Sequence, residues 1–210
     1  VTLILLDVRY FKDSTHQSQT TILGAKQWQW LERQLELAIA HSDVIIIASG
    51  TQMLPCSKPF SEKFGVSERR RLLHTLQKYM SRVVVRKTRT HLPIVVLFSG
   101  DVHYSEILQM TCPLQLNTNP SSTSSYSSSS SSLSSTLLYP FYEITTSGLS
   151  HSVHTQAPFG IGEYLIHNYF HTKERVPGMV YGGLNFAVVR IDWDAQPITL
   201  HVNVTVIHGS

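Results

Sequence analysis

The sequence predicts an α/β chain, with a parallel strand-helix-strand core followed by a C-terminal antiparallel hairpin. Three observations carry that expectation. Short apolar runs at residues 1 to 6, 44 to 48 and 94 to 98 alternate with two segments of helical period. Each run stops at a corner of small or polar residues: Asp7-Val8-Arg9-Tyr10, Ser49-Gly50-Thr51-Gln52 and Ser99-Gly100-Asp101-Val102-His103. Near the C-terminus, apolar runs at 184 to 193 and 198 to 207 flank Asp194-Ala195-Gln196-Pro197, a turn composition joining two antiparallel strands.

In chain order, residues 1 to 6 form the first strand and residues 23 to 40 a helix. Trp28, Leu31, Leu35 and Ala38 make one buried face of that helix. The strand at 44 to 48 precedes a second helix over 67 to 80, with Ser67 as its cap and Leu72, Leu73, Leu76 and Tyr79 inward. The third strand is apolar at five successive positions, as expected of a strand covered on both faces. The three strand ends, at Asp7, Ser49 and Asp101, then point to one rim, where ligands of parallel sheets bind. Between Ser121 and Thr136 twelve of sixteen residues are serine, so 117 to 136 is expected to be a disordered surface insertion within one domain spanning 1 to 210. Its flanks, 107 to 116 and 137 onward, read as two sides of one interrupted connection, with a strand at 141 to 145 beyond it.

Composition narrows the function. The chain has 210 residues, 42% hydrophobic and 15% charged, which suits one substantial core. A net charge of +3 is too small to argue for nucleic acid, and the basic stretches 69 to 71 and 82 to 89 read as solvated faces. Cys56 and Cys112 make neither a disulfide framework nor a spaced ligand motif. No apolar run reaches the roughly 18 residues of a membrane span. Asn203-Val204-Thr205 fits the glycosylation acceptor pattern but falls in an expected strand. Compartment and oligomeric state are left open. A start at Val1, in mid-strand, makes this chain read as a piece of a longer protein.

The corner after the third strand is the most informative segment. Gly100 permits unusual backbone angles, and Asp101 and His103 offer an oxygen and a nitrogen suited to divalent or trivalent cations. If extended geometry continues past Gly100, both side chains lie on one side. The plainer reading is a strand-ending turn in which Asp101 caps the next segment and His103 is an ordinary partly buried histidine, since Asp-x-His is short. No Gly-x-Ser-x-Gly elbow, phosphate-binding Gly-x-x-x-x-Gly-Lys loop or His-Glu-x-x-His motif offers another chemistry.

Taken in order, Leu5-Leu6-Asp7-Val8-Arg9-Tyr10-Phe11, Leu23-Gly24-x-x-Gln27-Trp28-x-Trp30-Leu31, Ser49-Gly50-x-Gln52, Glu68-Arg69-x-Arg71-Leu72-Leu73, Ser99-Gly100-Asp101-Val102-His103-Tyr104-x-Glu106, Tyr142-Glu143-x-Thr145-x-Ser147-Gly148-Leu149-x-His151 and Asn185-Phe186 resemble the C-terminal part of PhoD-like alkaline phosphatases and phosphodiesterases. The resemblance covers nearly the whole chain except the serine tract. It implies an incomplete metallophosphoesterase-type αββα sandwich of mixed sheets, as in the calcineurin-like superfamily. It also implies hydrolysis of phosphate mono- or diesters by at least two metal ions, with Ca, Fe, Mn and Zn as candidates, and Asp101 and His103 among the ligands. Under it, Arg9 holds a phosphate or pairs with a carboxylate such as Asp7. Gln52 orients water or substrate, or fixes its corner. His151 is a general acid, a donor to a ligand, or a capping or core histidine. Trp28 and Trp30 pack. The family's Gly-Asp-Asn and Trp-Asp-Asp-His-Asp ligand segments do not occur here, and Ala187 stands where the family has Gly. The metal site is therefore at most half present, and a catalytically inactive binding or scaffold module is the alternative.

Overall fold

A computed structural model of the chain describes residues 1–13, 21–55, 58, 62–86, 89–114, 137–157 and 160–207. The parallel core follows the expected order: β1 (Thr2–Leu6), α1 (Gly24–His41), β2 (Val44–Ser49), α2 (Val66–Arg86) and β3 (Ile94–Ser99). Two longer strands follow, β4 (Ser105–Leu114) and β5 (Leu137–Thr146). The short helices α3 (Val153–Gln156) and α4 (Ile161–Asn168) lead to β6 (Arg175–Tyr181), and the chain closes with β7 (Asn185–Asp192) and β8 (Thr199–Val206).

Six strands form one mixed sheet in the order β1-β2-β3-β5-β4-β6. β1, β2, β3 and β5 are parallel, while β4 runs antiparallel to both β5 and β6. β4 and β5 pair from Ser105 opposite Thr146 to Leu114 opposite Leu137, so the expected interrupted connection is a pair of adjacent strands. The expected disordered insertion at 117 to 136 lies outside the described residues. β6 was not expected, because Pro177 and Gly178 break its apolar pattern; at a sheet edge, a missing N–H is tolerated.

The register puts Ile4, Ile45, Val95 and Phe141 on one face, where Trp28, Leu31 and Leu35 of α1 and Leu72 and Leu76 of α2 join them in one buried core. β7 and β8 form a separate antiparallel hairpin. It lies against the opposite face, where Ile198, Leu200 and Val202 meet Val96, Tyr142 and Ile144 across an apolar cleft of about 440 Å³. The chain is thus a mixed α/β fold with a mostly parallel sheet between a helical layer and a hairpin.

Three local expectations are corrected. α2 begins at Val66 and ends at Arg86, so Ser67 sits inside its first turn and is not its cap. Leu73 is only partly buried, and the face continues instead through Met80 and Val83. Trp30 remains 38% exposed: two residues beyond Trp28 on a helix is about 200° around the axis, off the buried stripe.

Candidate functional site

The parallel strands bring four corners together on one rim. A Cβ on Gly50 would stand 3.1 Å from Val8 Cγ2. One on Gly100 would stand 3.6 Å from Ser147 Cβ and 3.7 Å from the Gly50 carbonyl oxygen. The ends of β1, β2, β3 and β5 therefore adjoin in strand order. β4, running the other way, starts at the same rim with Ser105 and Glu106.

At the first corner Asp7 Oδ1 accepts from the backbone N–H groups of Arg9 and Tyr10, both at 2.8 Å, and these bonds hold its carboxyl below the usual carboxylate range. Gln27 of α1 clamps the same corner from behind, accepting from Asp7 N at 2.8 Å and donating to Asp7 O at 2.6 Å. The Arg9 side chain does not pair with Asp7. Its Nη1 donates to Glu62 Oε2 at 2.6 Å in an exposed ion pair that also includes Lys12, and these partners hold the Glu62 carboxyl low. Exposed pairs of this kind contribute about 0–1 kcal/mol, so Glu62 holds the Arg9 side chain only weakly.

Gln52 lies beneath the rim, fully buried. Its Nε2 donates to Glu106 Oε1 at 2.6 Å and Thr145 Oγ1 at 2.9 Å, and its Oε1 accepts from Lys58 Nζ at 2.8 Å. Lys58 also reaches Tyr104 OH at 2.8 Å and forms an ion pair with Glu106. Burial pushes the Lys58 ammonium down while Glu106 pulls it up, and burial raises the Tyr104 hydroxyl. The other Glu106 oxygen accepts from Arg175 Nε at 2.8 Å, and Arg175 donates onward to the carbonyls of Ile166 and Phe170. Glu143 accepts from the N–H groups of Met53 and Leu54, both at 2.7 Å, fixing the chain just after Gln52. In this structure the Gln52 amide is committed to holding its corner.

The corner after β3 differs from the extended path expected of it. Asp101 has φ +76° and His103 φ +59°, the left-handed region that non-glycine residues rarely adopt. Extension ends at Ser99, so period-two spacing does not decide where the two side chains lie. Asp101 is exposed, and no described residue hydrogen-bonds its carboxylate. His103 is half-buried and held on three sides. Its N–H donates to Ser147 Oγ at 2.9 Å, its carbonyl accepts from Val153 N at 2.9 Å, and its Nδ1 lies 3.3 Å from Gln156 Oε1. With Nδ1 donating to Gln156, Nε2 is left for a ligand, the arrangement common in metal-bound imidazoles.

His151 is exposed, neither a core nor a capping residue, since Ser152 caps α3. Its ring stands 6.4 Å from that of His103, and its Nδ1 is 3.1 Å from Ser150 Oγ. The loop after β5 that carries it is fixed through Gly148, where a Cβ would overlap the Asn185 amide and stand 2.9 Å from the Gly183 carbonyl oxygen.

Of the five residues singled out from the sequence, the structure brings His103 and His151 together, with Asp101 on the same loop as His103. Gln52 lies below them and Arg9 turns toward Glu62. Asp101 and His103 are a donor pair of the right chemistry for hard and borderline cations. Among the described residues, no group of three His, Cys, Asp or Glu side chains could hold a metal ion, so the pair does not complete a site. Gln156, Lys58 and Arg175 escaped sequence reasoning, and Ser147 was quoted in a motif without a role. Glu106, Glu143 and Thr145 stood inside the quoted motifs without a role.

No protein-family model matches the sequence, nor does any curated protein. Among solved structures the chain is similar to that of PhoD, at 12% identity and a TM-score of 0.40. The likeness covers 97% of this chain but 38% of that one. At these values it is a coarse likeness only. No helix among the described residues is long and apolar enough to cross a membrane.

Proposed function

We propose that this chain supplies Asp101 and His103 to the metal centre of a phosphate-ester hydrolase acting on mono- or diesters. The strained corner carries the reading. Two residues in left-handed backbone separated by one residue are uncommon even for Asp and His, the side chains that tolerate it best, and at about 1 kcal/mol each they persist where the surroundings impose them, which favours a functional constraint. The sequence pattern on both sides of this corner supports the same chemistry. When bound, the metal ions would polarise phosphate oxygens and lower the pKa of a water molecule.

The chain's own residues prepare for that chemistry without completing it. Asp101 presents a carboxylate that no described neighbour uses. Gln156 fixes the His103 ring, and Ser147 anchors its backbone. His151, on an exposed loop with its ring 6.4 Å from that of His103, would give a proton to a leaving oxygen. Arg9 can exchange Glu62 for a phosphate. The remaining ligands would come from another polypeptide segment. The second reading, a binding module without turnover, draws on the buried, committed Gln52 and on the absence of a third ligand among the described residues.

Hydrolysis of p-nitrophenyl phosphate and bis-p-nitrophenyl phosphate by the full-length protein, with and without added Mn, Zn, Ca or Fe, tests the proposal. Loss of metal-dependent hydrolysis in both Asp101→Asn and His103→Ala supports it. Metal binding without turnover favours the module. Turnover that needs no metal and survives both substitutions sinks the site assignment.

A further inference from the structure

We propose that Asn203 is the acceptor of an N-linked glycan. Of five asparagines, Asn203 alone meets the acceptor pattern, through Val204 and Thr205. Asn119 is followed by proline, which excludes it, and Asn117, Asn168 and Asn185 lack a hydroxyl two positions on.

A sequence match of this length occurs by chance, and the fold supplies what the pattern lacks. β8 alternates cleanly: Val202, Val204 and Val206 are half-buried, while His201, Asn203 and Thr205 are exposed. The amide and the hydroxyl of the acceptor pattern therefore lie on the same outward face. The other two asparagines among the described residues are committed elsewhere. Asn185 is buried with its Nδ2 on the Gly183 carbonyl, and Asn168 Nδ2 donates to Tyr164 O, whereas no described residue hydrogen-bonds the Asn203 amide. Directly across the hairpin, Asn203 faces Val188 and Thr205 faces Phe186. Those two apolar side chains are 47% and 37% exposed on the same face. A glycan rooted at Asn203 would lie over this exposed apolar strip and cover it.

In the transfer, Asn203 Nδ2 bonds to the anomeric carbon of an oligosaccharide carried on a lipid diphosphate. The bond from that carbon to the diphosphate oxygen breaks, Nδ2 gives up a proton, and the lipid diphosphate leaves. The modification places β8 on the lumenal or extracellular side of a membrane at the time of synthesis. It is independent of the phosphoesterase reading.

The test uses full-length protein purified from its own cells, treated with an amidase that removes N-glycans in heavy-oxygen water, then digested and analysed by mass spectrometry. The peptide spanning Asn203 is expected as heavy-labelled aspartate. Asn203→Gln and Thr205→Ala should each lose the mass of one glycan, and Thr205→Ser should keep it. Because both positions are exposed, these variants fold. Recovery of unmodified Asn203, or a glycan mass that persists in Asn203→Gln, overturns the assignment.

Discussion

Arg175 Nε donates to Glu106 Oε2 at 2.8 Å where the two side chains are 4% and 0% exposed. This pair, with Lys58 on the other Glu106 oxygen, joins the edge strand β6 to the chain beyond β2 through the interior. Removing one partner of such a buried pair strands a charge without solvent, at a cost of about 3–5 kcal/mol. Glu106→Gln should therefore unfold at markedly lower urea concentration than wild type, and Arg175→Met should do the same. Their combination should cost less than the sum, because once the Glu106 carboxylate is gone Arg175 has no partner to lose, while Lys58 loses its partner in either Glu106 variant. Additive losses in the double variant would show that the two residues act independently.

Glu143 gives stability a pH dependence of defined sign. Burial pushes its carboxyl up to about 7, against the pull of the Met53 and Leu54 N–H groups and of Ser99. Its folded pKa exceeds its unfolded one, so between those values the native state binds more protons. Its contribution is fully present below about pH 4.5 and is lost as pH rises to about 7. A shift of this size corresponds to roughly 3 kcal/mol. The difference in unfolding free energy between wild type and Glu143→Gln should fall by this order between pH 4.5 and 7.5, measured by urea titration at matched ionic strength. A difference that is flat or rising across that window would show that Glu143 titrates normally.

The left-handed backbone at Asp101 predicts a separation of stability from metal binding. Glycine adopts this conformation freely and a β-branched residue does not. Asp101→Gly should be as stable as wild type or more so, by up to about 1 kcal/mol, whereas Asp101→Val should lose at least that much. Both should bind Mn or Zn less tightly than wild type. An unfolding midpoint for Asp101→Val equal to that of wild type would remove the case for strain at this corner.

The strand-helix alternation was legible because burial on one face imposes a period that sequence displays directly. β1, α1, β2, α2 and β3 all follow it. What the periodicity could not show is what a buried polar residue pairs with, since partners lie far apart in sequence. Glu68 is an example: from the first turn of α2 it accepts from Ile22 N, Leu23 N and Trp28 Nε1, at 2.8, 3.1 and 3.0 Å. It stood in the sequence as one charged residue among arginines. Those arginines read as a solvated face, yet Arg69 reaches inward to Leu54 O and Glu174, and Arg71 lies over the Trp28 ring while pairing with Glu32. Gln27 and Gln52 were visible as motif letters, but their shared task of clamping strand-end corners depends on atoms twenty or more residues away. A corner was expected where β3 ends and one is there, but its backbone was misjudged, because Gly100 was expected to absorb the unusual angles that Asp101 and His103 adopt.

The hydrogen bond from His103 to Gln156 decides whether that imidazole is prepared for a metal. Gln156 is exposed on α3, touches the site only through its Oε1 at 3.3 Å from His103 Nδ1, and lies off the hydrophobic core. Losing such an outer partner typically lowers metal affinity by about 10–100-fold. Gln156→Leu should therefore weaken Zn binding to the full-length protein by that order in calorimetric titration, with its thermal unfolding midpoint unchanged. Gln156→Glu, which puts a carboxylate behind the ring, should bind at least as tightly as wild type. If Gln156→Leu binds as wild type does while His103→Ala does not, the Gln156 contact does not orient the ring for the metal. If neither substitution changes binding, His103 is not a ligand.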